Sequence, residues 1–237
     1  MRVQPAFMED PSLLNILAQF TDNVAWSLFL TSAAIHAVLL ITSPVQAVHK
    51  WYKTQSSDRD TPVPYFFACM GSALWLRYSI YISDWKLMLL QMYAVAMQVF
   101  FLVTLIFYRS KKRRLIRLFL CSLLTMTILF LYMSKLSFED GKRFAGRCAS
   151  GAQIAGSFVC PYLIYKAVST RVIDFIPIAP VAFTWVMEMH AIGYSLGIND
   201  FYMLLANTVF FCMDGMLLSM FFIFPTEKKI SAKINVM

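Results

Sequence analysis

The sequence is poor in charged residues. Asp, Glu, Lys and Arg make up 14% of its 237 residues, whereas a soluble domain carries roughly 25%. A chain this short of charge cannot cover a water-facing surface, which argues against an ordinary soluble globular domain.

Residues with metal-ligand spacing are also missing. There are three histidines, and none of the five cysteines lies in a CxxC pair. We therefore interpret the cysteines as small, buried apolar side chains and expect neither a metal nor a cofactor. No Ser/His/Asp arrangement suggests catalysis, so we do not expect an enzyme. The first residues lack a basic segment followed by an apolar run and a cleavage site, so we expect no cleaved signal peptide.

Long apolar runs are abundant, since 59% of the residues are hydrophobic and 16% are aromatic. Crossing the hydrocarbon layer takes about 20 apolar residues. Seven runs reach that length: 24–47, 63–82, 86–108, 115–135, 149–168, 175–196 and 200–224. Because alternating ten-residue strands are absent, we predict an all-α membrane protein with seven transmembrane helices.

The basic residues predict the orientation. About two thirds of the 21 Lys and Arg residues fall in the loops after runs 1, 3 and 5 and in the tail, which places those segments in the cytoplasm and the N-terminus outside. The run "RSKKRRLIR" at 109–117 is better interpreted as a stop and an anchor for lipid head groups than as a nucleic-acid site.

The sequence contains an internal repeat. "RYSIYISDWKLMLLQ", from the end of run 2 into run 3, matches "GYSLGINDFYMLLAN", from the end of run 6 into run 7. A shift of 116 residues aligns Tyr78 with Tyr194, Ser79 with Ser195, Asp84 with Asp200, Gln91 with Asn207 and Gln98 with Asp214. Runs 1–3 therefore repeat as runs 5–7, and run 4 returns the chain so that both repeats have the same orientation.

This repeat predicts the domain organisation. The predicted parts are an extracellular segment 1–23, a first three-helix repeat 24–108, a cytoplasmic basic loop with linker helix 4 at 109–140, a second three-helix repeat 149–225 and a cytoplasmic tail 226–237. The linker helix joins the two repeats.

Four motifs, in the order in which they occur, resemble those of one known family. The motifs are "TSPVQAVHKW", "TPVPYFFACMGSALWLRY", "VCPYLIYKAVSTRVIDFIP" and "NDFYMLLANTVFF". Taken together they resemble an animal-type, seven-span member of the SWEET sugar transporters, within the PQ-loop superfamily. The resemblance covers about residues 24–225 and implies a sugar carrier built from parallel repeats.

The resemblance implies a set of hinge residues. The family has four helix prolines, which match Pro44, Pro64, Pro161 and Pro177 here. Pro180 competes for the fourth position, because the 116-residue shift from Pro64 leads to it. Proline inside a helix removes a hydrogen bond and bends the chain, so these positions are expected to act as hinges.

In the family, an aspartate takes part in closing the outer gate. That residue is Asp200 here, with Arg77 or Lys86 as the expected partner.

The same resemblance implies a substrate site. An amide from the third helix of each half is expected to bind sugar hydroxyls; the second half has Asn207, and the first has Gln91 where the family has Asn. Trp75 matches an aromatic wall. Its counterpart in the second half is Ala191, so neighbouring His190 is the substitute. Phe210 occupies a position where the family has glycine.

Few ionisable residues lie within the spans, and such residues are functional candidates. Glu188, His190 and Asp214 are not spaced along one helix as a proton relay would be. We therefore expect a facilitative, bidirectional uniporter of mono- or disaccharides that works by alternating access between the two halves. The alternatives are a proton-coupled PQ-loop amino-acid exporter and a non-transporting membrane scaffold.

The expected partners are a small sugar and the lipid bilayer, without nucleic acid. The cell membrane is the expected location, with the Golgi membrane as the alternative. Family members can form homo-oligomers, and that possibility stays open here.

Overall fold

The computed structural model describes residues 23–173 and 175–224. Within these ranges the chain forms helices joined by short turns, and no residue is in a β-strand. The helices are α1 (Val24–Thr42), α2 (Val45–Thr54), α3 (Val63–Tyr81), α4 (Trp85–Phe107), α5 (Lys112–Lys135), α6 (Phe138–Ser157), α7 (Val159–Thr170), α8 (Ile178–Gly197) and α9 (Phe201–Ile223).

Two pairs of these helices are single predicted spans interrupted by a break. α1 and α2 are separated by Ser43 and Pro44, and α6 and α7 by Phe158 alone. Counting each interrupted pair as one, the described residues form seven helices, as the sequence predicts. Four segments are long and apolar enough by themselves to cross a membrane: Val24–Thr54, Trp85–Phe107, Lys112–Lys135 and Phe201–Ile223.

The chain divides into two compact units. Unit 1 is Met1–Gly146 and unit 2 is Arg147–Met237, so the boundary falls inside α6. In unit 1, α4 packs most extensively on α3 and also contacts α1, α2 and α5. In unit 2, α9 packs most extensively on α8 and also contacts α7. Each unit thus has a central helix, α4 or α9, which is the third helix of its repeat.

The internal repeat is also present in the backbone φ angles. The non-glycine residues with positive φ in the described ranges are Gln55 (50°), Ser83 (55°), Arg171 (59°) and Asn199 (54°). They form two pairs at the 116-residue shift. Gln55 and Arg171 end α2 and α7 in the left-handed conformation. L-residues adopt that conformation at a cost, so its recurrence is strong evidence that the two units share one backbone plan.

Side-chain caps recur at the same shift. Thr54 Oγ1 donates to the carbonyls of Lys50 (2.9 Å) and Ser56 (3.0 Å), and Thr170 Oγ1 repeats the pattern at 2.9 and 3.1 Å. Asp84 caps α4 by accepting from Lys86 N and Leu87 N. Such bonds satisfy backbone groups that a helix end leaves without partners.

The helices expose apolar side chains, as a lipid-facing protein requires. Leu124 is 61% exposed, Phe107 67% and Phe222 81%. Large exposed apolar surfaces are unfavourable in water. Together with the seven helices, they mark a multi-pass membrane protein.

Two local features differ from the sequence predictions. α6 begins at Phe138, well before the run predicted to start at 149, because the polar stretch after Ser137 is also helical. Ser137 Oγ accepts from Asp140 N (3.2 Å) at this start. The five cysteines are free thiols, but only Cys160 is buried, whereas Cys121 and Cys212 are exposed.

Candidate functional site

Asn207 is the best-defined polar residue of the predicted substrate site. It lies on α9, is 6% exposed, and accepts a hydrogen bond from Gln153 Nε2 at 2.8 Å. Its Nδ2 donates to Ser195 Oγ at 3.5 Å. An amide has two donor hydrogens and two acceptor lone pairs, so these contacts orient Asn207 without using its full hydrogen-bonding capacity. The sequence reasoning missed Gln153 because this residue lies outside the four motifs.

Phe210 lies one turn further along α9, where the family has glycine. Its ring faces Gly156 of α6: a Cβ built on Gly156 would lie 4.0 Å from Phe210 Cζ. The small residue on α6 therefore leaves room for the ring. Unit 2 accommodates this bulky side chain by having no side chain opposite it.

Gln91 and Trp75 are the predicted substrate residues of unit 1. Gln91 is half-buried on α4, and Trp75 is 8% exposed on α3. The ring of Trp75 packs edge-on against Tyr78, with centroids 5.7 Å apart. Within the part of the chain that the structure describes, no hydrogen bond joins Trp75 to Gln91.

His190 and Ala191 lie half-buried on α8. His190 Nδ1 lies 2.9 Å from the carbonyl of Val186, one turn earlier. The structure also places an aromatic pair in unit 2 that sequence reasoning missed: Trp185 stacks on Phe211, with centroids 4.8 Å apart and planes 18° from parallel. The signal was present, since Trp185 is the one tryptophan of α8.

The four predicted hinge prolines fall into two classes. Pro44 lies in the break between α1 and α2, and Pro161 is the third residue of α7, just after the break at Phe158. Pro64 is the second residue of α3, and Pro177 is the residue before α8. Proline in the first turn of a helix interrupts no helical hydrogen bond. Only Pro44 and Pro161 therefore accompany an interrupted span.

Pro180 remains the alternative to Pro177 as the fourth hinge proline. It is the third residue of α8, inside the first turn, as Pro64 is inside the first turn of α3. Pro177 instead occupies the position before the helix that Pro62 occupies in unit 1. The positions within the helices thus favour pairing Pro64 with Pro180.

Asp200, the predicted gate residue, has a local structural role. It is the N-cap of α9, and its Oδ1 accepts from Met203 N at 2.8 Å. Asp84 does the same at α4. Capping alone accounts for an aspartate at both positions, so the gate function of Asp200 stays a prediction.

Two acidic side chains are buried in the spans of unit 2. Glu188 is 8% exposed, and its Oε2 has no hydrogen-bond partner among the described residues. Asp214 is 6% exposed and accepts from Cys160 Sγ at 3.1 Å. The matching residues of unit 1 are Ser72 and Gln98, which carry no charge. Buried carboxyl groups inside a membrane are costly and mark functional candidates.

A polar network holds the loop between α2 and α3 in unit 1. We call it the loop network, and its members are Lys50, Trp51, Asp58, Asp60, Arg109 and Ser110. Trp51 Nε1 donates to Asp60 at 2.5 Å, and Lys50 Nζ lies 3.1 Å from the same carboxylate. Arg109, just after α4, donates to the carbonyls of Asp58 (2.9 Å) and Asp60 (2.6 Å).

The loop network also determines the acidity of its aspartates. The hydrogen bond from Trp51, aided by Lys50, lowers the pKa of Asp60 below its ordinary value, although burial opposes the shift. Hydrogen bonds from Ser110 lower the pKa of Asp58 in the same way. Both carboxylates are therefore charged at neutral pH and bind the loop to the end of α4.

Comparisons with known proteins agree with the fold. The family model described as "Sugar efflux transporter for intercellular exchange" matches residues 27–113, all of them in unit 1. Bidirectional sugar transporter SWEET12 of rice (Oryza sativa subsp. japonica) is 22% identical over 84% of this chain and 68% of that protein. SWEET13 of Arabidopsis thaliana is 22% identical over 88% of this chain and 73% of that protein.

A solved structure of a eukaryotic SWEET transporter has the same fold. It superposes with a TM-score of 0.75, covering 88% of this chain and 97% of the other at 17% identity. The four motifs, the repeated units and these matches lead to one conclusion. The chain is similar to SWEET transporters in sequence over most of its length and has the fold of a solved SWEET structure, and the relatives that it matches are described as transporters.

Proposed function

We propose that this protein is a facilitative, bidirectional uniporter for a mono- or disaccharide, working by alternating access. Two SWEET relatives described as bidirectional sugar transporters support this proposal, since each aligns over more than four fifths of the chain. Each unit contributes one amide and one proline-associated helix break to the transport cycle.

The buried amide of Asn207 is the observation that carries the proposal. Polar side chains inside membrane-spanning helices are energetically unfavourable, so a buried amide there is a candidate for a functional role. Sugar hydroxyls both donate and accept, so an oriented amide is a suitable partner. Gln91 is its repeat mate in unit 1 and has the same functional group on a side chain longer by one methylene. Trp75 supplies an apolar face for the C–H side of a sugar ring.

The helix breaks are the proposed moving parts. α1–α2 and α6–α7 lose continuous hydrogen bonding at Pro44 and near Pro161, and hinges are positions that absorb backbone changes between two states. Pro64 and Pro177 limit the start of the adjoining helices rather than bending them. Asp200 is proposed to close the outer gate in addition to capping α9.

A second candidate keeps the same fold but adds proton coupling. The buried carboxyl groups of Glu188 and Asp214 favour it, because proton-driven carriers use such groups in their spans. The neutral residues Ser72 and Gln98 at the matched positions of unit 1 restrict any proton site to unit 2. Uniport remains the simpler mechanism, since these two carboxyl groups do not form a relay along one helix.

We infer that the protein resides in the cell membrane with its N-terminus outside and its C-terminus in the cytoplasm, the Golgi membrane being the alternative location. The basic segment 109–117 supports this orientation. A homo-oligomer is compatible with the function, although each chain contains both repeat units.

The test is uptake of labelled glucose, sucrose and trehalose into vesicles that contain the purified protein, with and without a pH gradient. Asn207→Ala is compared with Thr208→Ala, a substitution of the exposed neighbour on the same helix. We expect gradient-independent uptake of at least one sugar, lost in Asn207→Ala and retained in Thr208→Ala. Uptake only with a pH gradient would favour the coupled carrier, and no uptake of any sugar would favour the scaffold.

A further inference from the structure

Unit 1 contains a cavity at the α2–α3 end that the proposed substrate residues do not line. Its volume is about 370 Å³. Two prolines form part of its wall, Pro44 at the helix break and Pro64 in the first turn of α3, and the small side chains Ala47 and Ala68 leave the space open. Neither Asn207, Gln91, Trp75 nor His190 is among the residues that line it.

A charged pair borders this cavity. The ammonium of Lys50 lies 3.1 and 3.3 Å from the two carboxylate oxygens of Asp60. The side chains are 54% and 29% exposed, so both are accessible to a ligand. An ammonium donates and a carboxylate accepts, so the pair can bind two neighbouring hydroxyl groups of one molecule at once.

Gln98 forms another part of the cavity lining, and its side-chain oxygen has no hydrogen-bond partner among the described residues. It lies on α4, is 8% exposed, and its Oε1 accepts no hydrogen bond from the residues that the structure describes. Buried polar atoms are nearly always paired, and an exception calls for an explanation. A ligand hydroxyl that reaches Gln98 would supply the missing donor.

Tyr65 provides an aromatic wall. Its ring is held edge-on by Trp51 (5.8 Å between centroids) and by Phe101 (6.2 Å). Both of these neighbours are fully buried, so the ring of Tyr65 is fixed in position. A fixed aromatic face beside hydroxyl-binding groups suits the C–H face of a sugar ring.

We propose that this cavity is a second sugar site, confined to unit 1 and separate from the Asn207 site. Lys50 and Asp60 bind a pair of hydroxyl groups, Gln98 accepts from a third, and Tyr65 packs on the ring. The ligand is the sugar that the protein transports, so this inference rests on the proposed function. Because Pro44 and Pro64 line the site, an occupied site contacts the broken span directly.

The described residues of unit 2 do not repeat these groups. The residues that match Ala47, Asp60 and Tyr65 at the 116-residue shift are Leu163, Ile176 and Val181. These three belong to the apolar cluster of unit 2. The match of Gln98 is Asp214, whose Oδ1 already has Cys160 as a donor.

The experiment observes Trp51, whose indole donates to Asp60. The full-length protein is labelled with 5-fluorotryptophan, reconstituted in lipid nanodiscs, and titrated with glucose, sucrose and trehalose while ¹⁹F spectra are recorded. The Trp51 signal is assigned from Trp51→Phe. Ala68→Leu fills the cavity, and Ala34→Leu adds the same bulk at an exposed position of α1. Gln98→Leu removes the acceptor without filling the cavity.

We expect a saturable shift of the Trp51 signal with a transported sugar. The apparent affinity should weaken at least tenfold in Ala68→Leu and severalfold in Gln98→Leu, and it should not change in Ala34→Leu. Asn207→Ala should lose transport and keep the Trp51 shift, because the two sites are separate.

Several results would overturn the second site. One is a protein that transports sugar without any shift at Trp51; another is an unchanged affinity in both Ala68→Leu and Gln98→Leu. A shift that disappears in Asn207→Ala would assign the signal to the other site and also exclude the proposal. In each case the proposed function stands, whereas the absence of transport in the unmodified protein would remove both proposals.

Discussion

The two units share one backbone plan and differ in the chemistry at one end. In both units the helix after the break ends in a left-handed residue, a threonine caps that end, and an aspartate caps the central helix. In unit 1 this end is held by the polar loop network beside a cavity. In unit 2 the matched end is filled by the apolar cluster of Cys160, Ala167, Ile173, Val181 and Leu217.

The two units therefore share their turns more closely than their packing. Turn geometry at Gln55 and Arg171 is fixed by backbone sterics, which act alike in both copies. The interior can be filled by either polar or apolar groups as long as volume and hydrogen bonds are satisfied. Unit 1, which contains the whole family-model match, has the cavity lined by Pro44, Pro64 and Gln98.

The largest expected effect comes from removing the anchor of the loop network. Trp51 is fully buried, and its match in unit 2 is Ala167. Trp51→Ala therefore gives unit 1 the small side chain of unit 2. Unit 1 lacks the apolar cluster that fills the space around that small side chain in unit 2. We expect a loss of about 3–5 kcal/mol in the free energy of unfolding. An unfolding titration in mixed micelles measures it, with the half-buried Trp85→Ala as control. A loss equal to that of the control would mean that Trp51 does not anchor unit 1.

The apolar cluster of unit 2 gives a second, slightly smaller effect. Leu217 is 3% exposed within that cluster, and Leu217→Ala should cost about 2–4 kcal/mol because it leaves a cavity. The exposed Leu196→Ala on α8 is the matched control and should change little. The loss should be the same at pH 7 and pH 3.5, since no ionisable group belongs to the change. A strong pH dependence would contradict the apolar account of unit 2.

Much of the fold follows from the sequence because its signals are local. Membrane-length apolar runs and the 116-residue repeat predict seven helices, and the structure confirms them. The break at Pro44 follows from the missing backbone N–H of proline, which removes one helical hydrogen bond in any helix interior. The early start of α6 was missed because hydropathy reports which residues lie in lipid and says nothing about polar residues that continue the helix.

The sites are less predictable because they depend on contacts distant in sequence. Gln153 reaches Asn207 from 54 positions away, and Arg109 reaches the loop of Asp58 from 51 positions away. No spacing rule indicates such pairs. The empty space beside Gln98 is harder still, because a cavity is the result of what all its neighbours fail to fill. The substrate roles of Gln91, Trp75, His190 and Asn207 stay predictions, to be tested by transport.

The dependence of the unfolding free energy on pH should also distinguish the two units. The folded structure lowers the pKa of Asp60 below its ordinary value of 3.8. Its stabilising contribution is therefore fully present above that ordinary value and is lost as the pH falls through the lowered pKa. We expect Asp60→Asn to destabilise the protein by about 1 kcal/mol or less at pH 7, because the carboxylate is partly solvated.

The check on this response is a pair of unfolding titrations at pH 7 and pH 3. The difference between the unmodified protein and Asp60→Asn should shrink at the lower pH, where protonation weakens the bonds to Trp51 and Lys50. Leu217→Ala, whose effect is expected to be independent of pH, serves as the reference from unit 2. A difference that grows on acidification would show that the sign of the Asp60 contribution is wrong.

The smallest expected effect tests the turn geometry that the units share. Ser83 and Asn199 occupy matched left-handed positions, with φ of 55° and 54°. Glycine removes the steric cost of this conformation but adds freedom to the unfolded chain, so Ser83→Gly should stabilise the protein by only about 0.5 kcal/mol. Asn199→Gly should gain less, because asparagine tolerates this region better than serine does. Both differences are measured by unfolding titration, with Ser122→Gly inside α5 as a control that should be destabilising. A larger gain at Asn199 than at Ser83 would mean that the two turns, alike in φ, are held by different contacts.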